Sequence, residues 1–230
     1  MENLPEYAAP SVSLGTVPAY STYEKGDAAG TSATVDLTGT VTVNSVVPDA
    51  TITAVEFKRN AGTIDTPVAL PGNAVYNYTD LTGVDGVTNT SYTFQVTDGQ
   101  GNHSSVRNFT YVYPFFSGTV VNPGDIFDGM TRAQVLATNS PQSYVKGKSD
   151  TNVGYSIGGS EHTFLMYPAS YGNLDEILDD SSFDVISSMI GGAAGQTINV
   201  TSMLDASSQL YKAYVLTTPT TGTFNFRYNF

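Results

Sequence analysis

Cysteine is absent from this chain of 230 residues. The protein therefore forms no disulfide bond, offers no thiolate to a metal and has no cysteine nucleophile. Its stability has to come from packing, and the chain is long enough for one large domain or two of ordinary size.

Basic residues are few. Nine Lys and Arg stand against 21 Asp and Glu, which gives a formal net charge of −12. Because affinity for nucleic acid comes chiefly from cations that neutralise phosphates, we expect no nucleic-acid partner. The stretch "EFKRN" at 56–60 holds only two adjacent cations, and we interpret it as a solvated strand face or edge.

Long apolar runs and a secretory signal are also missing. The stretch "MENLPEYAAP" carries two acids and two prolines where a signal peptide has a basic patch and an apolar run. No stretch approaches the length needed to span a bilayer. We therefore expect a protein that is made in the cytosol, is not exported by a standard signal and is not inserted into a membrane.

Tryptophan is absent and charged residues make up only 13% of the chain, whereas Tyr (15), Phe (11) and Gly (22) are plentiful. Aromatic and β-branched residues suit half-buried pleated surfaces, and a low charge content is poor material for solvated helices. The composition predicts an all-β protein. Its aromatic side chains are expected to fill cores and subunit contacts rather than to stack on sugars.

Residues 1–9 are expected to form a flexible arm, and residues 10–113 a first domain. Apolar alternation predicts strands at 10–18, 34–43, 51–60, 74–81, 91–98 and 105–113. Gly39 predicts a bulge or bend, and the polar stretch "STYEKGD" predicts a turn. The last two runs predict a hairpin around 99–102, with His103 in its turn. Strands at such intervals favour a sandwich over βαβ units.

The ending "YTFQVTDGQGN…SSVRNFTYVYP", with the strands before it, resembles the immunoglobulin-like modules of bacterial surface proteins and tailed-phage virion proteins. The paired Cys and strand Trp of antibody domains are absent, which rules out a close relation to those domains but not the architecture. The resemblance implies that Phe94 stands where such a domain often places its second Cys. Tyr92 would be the tyrosine-corner residue, bonded to backbone near the preceding loop; the alternative is an ordinary half-buried strand tyrosine.

The regular alternation of apolar and polar residues stops at Pro114, and residues 114–230 follow a different pattern. The stretch "DGMTRAQVLA" predicts a short helix with Asp128 or Thr131 as its N-cap. An apolar strand through 164–167 stops at a proline, and "NLDEILDD" predicts a second helical turn. The end of the chain predicts a hairpin across 219–222.

This second part also resembles a known kind of domain. Its "YPFF" junction, the stretch "FLMYPASYGNLDEILDD" and the terminal Tyr and Phe pattern resemble a C-terminal domain of uncharacterised virion proteins from tailed phages. That domain often follows an immunoglobulin-like module, so the resemblance implies a β-rich assembly domain over residues 114–230. Phe115 and Phe116 lie at the junction, and we expect them to pack the two domains together.

Motifs for catalysis or metal binding are missing from the sequence. His103 and His162 are the only histidines, and neither stands in an HExxH spacing. No Gly-x-Ser-x-Gly elbow marks a nucleophile. We interpret the two histidines as a loop residue and a strand-edge residue, and we expect no cofactor and no metal centre.

Acidic residues form one dense cluster, which consists of Asp175, Glu176, Asp179, Asp180 and Asp184. Three interpretations are open: a solvated helix face, a calcium site built from hard oxygen ligands, and a carboxylate pair as in glycosidases. Asp98 and Asn102 could form a weak cation contact in the hairpin, although turn geometry also explains them.

These features together predict a non-enzymatic structural component of a tailed bacteriophage virion, in the tail, neck, fibre or capsid surface. Its partners would be copies of itself, in a homo-oligomer, and other virion proteins. Exposed sheet edges would supply the contacts, and the arm at 1–23 could dock on a neighbour. The alternative is an adhesin for a host-surface receptor or glycan; a glycoside hydrolase with an immunoglobulin-like module is a third hypothesis.

Overall fold

The computed structural model describes residues 7–43, 51–138, 144–145, 152–179 and 181–229. The chain forms two compact units, one of Met1–Tyr23 with Asp27–Tyr111 and one of Glu24–Gly26 with Val112–Phe230. The main division lies two residues before the predicted boundary, and three residues near the N-terminus belong to the second unit. The all-β prediction is confirmed.

The N-terminal unit is a β-sandwich. One sheet has the order β1-β4-β7 and contains β1 (Ser11–Val17), β4 (Val35–Thr42) and β7 (Ala74–Asp80). The other has the order β2-β10-β9-β5-β6 and contains β2 (Thr22–Glu24), β5 (Ala54–Arg59), β6 (Gly62–Asp65), β9 (Thr90–Asp98) and β10 (Gly101–Val112). A small pair consists of β3 (Thr31–Ser32) and β8 (Val84–Asp85). The turn predicted in "STYEKGD" is present at Lys25 and Gly26, directly after β2.

Gly39 does not mark a bulge, so that prediction is wrong. It pairs with Leu14 of β1 and Tyr76 of β7 in an unbroken register, and the buried positions of β4 alternate through it. A Cβ atom at Gly39 would lie 2.4 Å from the ring of Phe94 in the facing sheet. The glycine is therefore a packing requirement of the sandwich core.

The predicted hairpin of β9 and β10 is confirmed, with a turn of two residues between Asp98 and Gly101. Because the turn is this tight, His103 lies in strand β10 opposite Val96, and its predicted place in the turn is wrong. The apolar faces of the two strands enter the sandwich core, where Tyr92, Phe94, Val96, Phe109 and Tyr111 are buried.

The C-terminal unit is built on a seven-stranded sheet with the order β12-β11-β13-β16-β15, to which β17 adds along β13 and β14 along β17. Its strands are β11 (Phe115–Val120), β12 (Tyr144–Val145), β13 (Asn152–Pro168), β14 (Glu176–Leu178), β15 (Gln196–Val200), β16 (Gln209–Val215) and β17 (Thr220–Asn229). The apolar strand predicted at 164–167 is the last part of β13.

Both faces of this sheet are covered. Leu165, Tyr167 and Tyr214 enter one core, whereas Phe164 and Met166 enter the other. Since neighbouring residues alternate between the two faces, β11 is buried at every position. Burial on both sides encloses the polar residues Ser117 and Thr119 of this strand together with its apolar ones.

The terminal hairpin predicted across 219–222 is wrong. Strand β16 pairs with the last part of β13, from Phe164 opposite Val215, and β17 pairs with the first part of the same strand. Between these two pairings, the N–H of Leu216 donates to the carbonyl oxygen of Thr163 at 2.8 Å. Strands β16 and β17 therefore follow each other in one direction along one edge of β13.

One α-helix is present in the described residues, α1 (Arg132–Thr138). Thr131 and Gln134 bond reciprocally at its start, with Thr131 N 2.8 Å from Gln134 Oε1 and Gln134 N 3.2 Å from Thr131 Oγ1. Thr131 is thus the N-cap, while Asp128 accepts the N–H of Asn199 at 2.7 Å. No helix in the described ranges has the length and apolar character of a membrane span.

Candidate functional sites

Tyr92 connects strand β9 to the loop that precedes it. Its ring is completely buried. Its hydroxyl donates to Oδ2 of Asp80 at 2.7 Å and lies 3.4 Å from the carbonyl oxygen of Gly83. The hydroxyl thus reaches the preceding loop, as in a tyrosine corner, but its main acceptor is a side-chain carboxylate rather than backbone.

Asp80 is the charged centre of this corner. Its Oδ1 accepts the N–H of Thr82 at 2.9 Å, and Nε of Arg59 lies 3.6 Å from its Oδ2. Burial raises the pKa of Asp80, but the hydrogen bonds from Tyr92 and Thr82 and the charge of Arg59 outweigh it and lower the pKa. Burial and the hydrogen bond to Asp80 raise the pKa of Tyr92. A hydrogen bond from the neutral phenol of Tyr92 to the ionised carboxylate of Asp80 therefore holds β9 to the end of β7.

Phe94 lies in the middle of the sandwich core. Its ring centroid is 5.0 Å from that of Phe57 and 5.8 Å from that of Tyr76. The ring therefore bridges the two sheets by packing, at the position where the resemblance places a cysteine.

Phe115 and Phe116 both lie fully buried in the C-terminal unit. Phe115 packs on Tyr167, Tyr171 and Tyr228 in one core, and Phe116 packs on Tyr211 in the other. The ring contacts described for both side chains are within their own unit. A role in joining the domains stays a prediction.

His103 and Asp98 meet a residue of the predicted arm. The hydroxyl of Tyr7 donates to Oδ2 of Asp98 at 2.6 Å, and Nε2 of His103 lies 3.2 Å from the same oxygen. Oδ1 of Asp98 accepts the N–H of Gln100 at 2.8 Å. Burial raises the pKa of Asp98, but the hydrogen bond from Tyr7 and those from the turn and His103 outweigh it and lower the pKa.

The side-chain oxygens that could have held a cation in this hairpin already accept hydrogen bonds from other residues. Both carboxylate oxygens of Asp98 accept hydrogen bonds, and Oδ1 of Asn102 accepts the hydroxyl of Thr97 at 2.7 Å. Turn and strand geometry account for both residues. Residues 1–6 of the arm lie outside the described residues.

The acidic cluster does not lie on a helix, so the predicted second helical turn is wrong. Glu176 belongs to strand β14, which pairs with β17 and places Ile177 in the core. The burial of Ile177 against the sheet overrides the helical tendency of the local sequence. Asp180 lies outside the described residues.

Two carboxylates of the cluster close turns. Oδ1 of Asp179 accepts the N–H groups of Ser181 and Phe183, each at 2.9 Å. Oδ1 of Asp184 accepts the N–H groups of Ile177 at 3.2 Å and Ile186 at 3.0 Å. These bonds are local backbone contacts of the kind that Asp makes in loops.

His162 is a half-buried residue of β13 whose Nδ1 lies 2.8 Å from the carbonyl oxygen of Leu216. Across the described residues, no three His, Asp or Glu side chains are grouped so that they could hold a metal ion.

Glu24 and Arg132 form a buried ion pair that the sequence does not predict. Nε and one terminal nitrogen of Arg132 donate to the two carboxylate oxygens of Glu24 at 2.6 and 2.8 Å, and Glu24 is 1% exposed. Both residues belong to the C-terminal unit, although 108 residues separate them. Nothing in the local sequence of either residue indicates this partner.

The edges of the three-stranded sheet are the clearest features for contact with another chain. Among the described residues, β1 and β7 each pair only with β4. Strand β1 has seven residues without a charge or a proline, and Val17 at its end is 67% exposed. Natural edge strands are usually shortened, charged or bulged to prevent pairing, and β1 has none of these protections.

Comparison of the chain with protein-family models, with curated proteins and with solved structures gives no match.

Proposed function

We propose that this protein is a non-enzymatic structural component of a tailed bacteriophage virion that acts through contacts between subunits. The sequence resemblance supports the virion assignment. The strand order of the N-terminal unit supports its immunoglobulin-like part, because β1, β4 and β7 opposite β10, β9 and β5 correspond to strands A, B and E opposite G, F and C.

The open edge of β1 is the observation that carries a role in assembly. An edge strand of seven residues, whose one partner among the described residues is β4, presents backbone donors and acceptors on its outer side, and a second chain can pair with them by strand addition. Its exposed residues are Ser11, Ser13, Gly15 and Val17. Because none is charged, a neighbouring strand meets no electrostatic barrier there.

Charge on the edge tests this contact. In the double variant Ser13→Lys, Gly15→Lys, we expect the oligomer of the purified protein to dissociate, because lysines on an edge strand oppose pairing. Sedimentation velocity measures the oligomeric state, and circular dichroism checks that the fold is retained.

Thr38→Lys with Thr42→Lys is the matched control. It adds the same two charges at exposed positions of the central strand β4, which has a neighbour on both sides. The control protein should assemble like the parent. An unaltered oligomer in the edge variant, or equal dissociation in both variants, would rule out β1 as the contact.

A further inference from the structure

A polar cavity opens at one end of the five-stranded sheet of the N-terminal unit. Its volume is about 290 Å³. It is lined by Asn60 from the turn after β5, by Asn89 and Ser91 around the start of β9, and by Asn108 and Thr110 from β10. Three asparagine side chains thus line one small space.

Two of these amides are held in a fixed orientation. Oδ1 of Asn60 accepts the N–H of Ser91 at 2.9 Å, while the N–H of Asn60 donates to the carbonyl oxygen of Ser91 at 2.9 Å. Oδ1 of Asn89 accepts the N–H of Tyr111 at 2.7 Å. Since a backbone N–H can only donate, the carbonyl end of each amide must face it, and the NH₂ end is the other one.

Asn60, Asn89 and Asn108 are all exposed, so the NH₂ groups of Asn60 and Asn89 face the open side of the cavity. No acceptor for either group occurs among the described residues, and the side chain of Asn108 makes no hydrogen bond to them either. Asn60 has a positive φ of 47° in the turn between β5 and β6, a conformation that asparagine adopts more readily than most residues. The cavity therefore offers oriented hydrogen-bond donors whose positions are set by the backbone.

The chemistry of the lining selects the class of ligand. An anion finds no cation in the described lining and meets a chain of net charge −12. A metal ion such as Ca²⁺ is usually held by carboxylates, and the described lining has no Asp or Glu. An apolar ligand finds only Phe109, whose side chain is fully buried. A neutral molecule rich in hydroxyl oxygens remains.

We propose that this cavity binds a neutral saccharide, with the amide NH₂ groups of Asn60 and Asn89 donating to its oxygens. Small-molecule sites hold roughly 300–1,000 Å³, so a cavity at the lower end suits one or two sugar rings. Asn108 and Thr110 add groups that can donate and accept. We expect a dissociation constant on the order of 1 mM, since the one ring in the described lining, that of Phe109, is buried and cannot stack on a sugar. This binding goes beyond the structural role proposed above and does not depend on it.

Nuclear magnetic resonance on the ¹⁵N-labelled full chain tests the proposal. The probes are glucose, galactose, mannose, N-acetylglucosamine, maltose and cellobiose, each titrated separately. We expect at least one of them to shift the side-chain NH₂ resonances of Asn60 and Asn89 in a saturable manner. The absence of saturable shifts with all six, or shifts confined to other surfaces, would overturn the proposal.

Isosteric variants identify the donors. Asn60→Asp with Asn89→Asp keeps the oxygens that accept from the backbone and removes both NH₂ groups, so affinity should fall at least tenfold. Asn102→Asp is the control, because it makes one such substitution on the exposed face of β10 outside the cavity, and its affinity should equal that of the parent. Equal affinity in all three proteins would contradict the assignment.

Asn108→Ala covers the case in which the double variant fails to fold, because the Asn108 side chain is exposed. We expect it to weaken saccharide binding several-fold, and unchanged binding would count against the site. A neutral peptide, acetyl-Ser-Gly-Ser-amide, is titrated in parallel. If the peptide moves the same resonances and the sugars do not, the cavity is a peptide site and the proposal fails.

Discussion

Gly39 lies where a strand of one sheet approaches an aromatic ring of the other within the N-terminal sandwich. A Cβ atom there would come within 2.4 Å of the Phe94 ring. We expect Gly39→Ala to lower the free energy of unfolding by about 1–3 kcal/mol, the usual cost of overpacking a core. Urea unfolding followed by tyrosine fluorescence measures this change.

Gly15→Ala provides the matched control on the neighbouring strand. A Cβ at Gly15 would meet only the carbonyl oxygen of Thr38, at 3.8 Å. This variant should be neutral or more stable by roughly 0.5–1 kcal/mol, because alanine loses less backbone entropy than glycine. Equal destabilisation of the two variants would show that Gly39 is not a contact point with Phe94.

The bond between Tyr92 and Asp80 makes part of the stability depend on pH. The pKa of Asp80 is lower in the folded chain than the value of about 3.9 in an unfolded one, so its contribution is complete above that pH and is lost as the pH falls through the folded pKa. At pH 7 we expect Tyr92→Phe to cost about 1.5–3 kcal/mol, the range for hydrogen bonds to charged groups. The cost should shrink as the pH falls below about 4.

Tyr111→Phe is the control, because it also removes a buried tyrosine hydroxyl but leaves the bond to Asp80 intact. The Tyr111 hydroxyl donates to the carbonyl oxygen of Gly30 at 2.6 Å, an acceptor that does not titrate. Its cost should stay constant over the same pH range in urea titrations. A cost of Tyr92→Phe that is equally independent of pH would contradict the assigned partner.

At the scale of the elements, the cap of the helix and the short-range hairpin of β9 and β10 could be predicted, whereas the pairing of distant strands could not. The capping residues Thr131 and Gln134 lie only three positions apart in the sequence, so the start of α1 could be predicted. The hairpin prediction at 219–222 failed because β17 pairs with β13, more than 50 residues away in sequence. Register between distant strands depends on which faces become buried, and no local pattern records it.

The continuous path of β16 and β17 along β13 can be tested by disulfide trapping, since the chain has no cysteine of its own. Ser156 and Thr223 are Cα partners in the ladder. We expect Ser156→Cys with Thr223→Cys to form an intramolecular disulfide under mild oxidation, because paired strands bring Cβ atoms within reach. Thiol titration and non-reducing electrophoresis of the two-cysteine protein measure it.

A second cysteine pair represents the alternative hairpin. Lys212→Cys with Asn229→Cys would be brought together if β16 and β17 folded back on each other across 219–222. In the observed arrangement these positions lie at the two far ends of one extended path, and the protein should keep both thiols. A disulfide in this pair, with none between positions 156 and 223, would contradict the strand order.

At the scale of the whole molecule, the sequence predicted a boundary after residue 113, and the chain forms two units whose main division follows Tyr111. It could not indicate that Glu24–Gly26 belong to the second unit, because nothing near Glu24 in the sequence points to Arg132, its partner 108 residues away. The asparagine cavity was equally hidden. Asn60, Asn89 and Asn108 come from three separate parts of the chain, and each by itself has the sequence context of an ordinary loop or strand residue.

Antibody labelling of virus particles tests the central claim most directly. Particles purified from the source of this sequence are incubated with gold-labelled antibody to the full chain and imaged by electron microscopy, with pre-immune antibody as the control. We expect gold at one repeated position on each particle, because a structural subunit is present in several symmetric copies. The absence of gold on intact particles and also on disrupted ones would contradict a virion role.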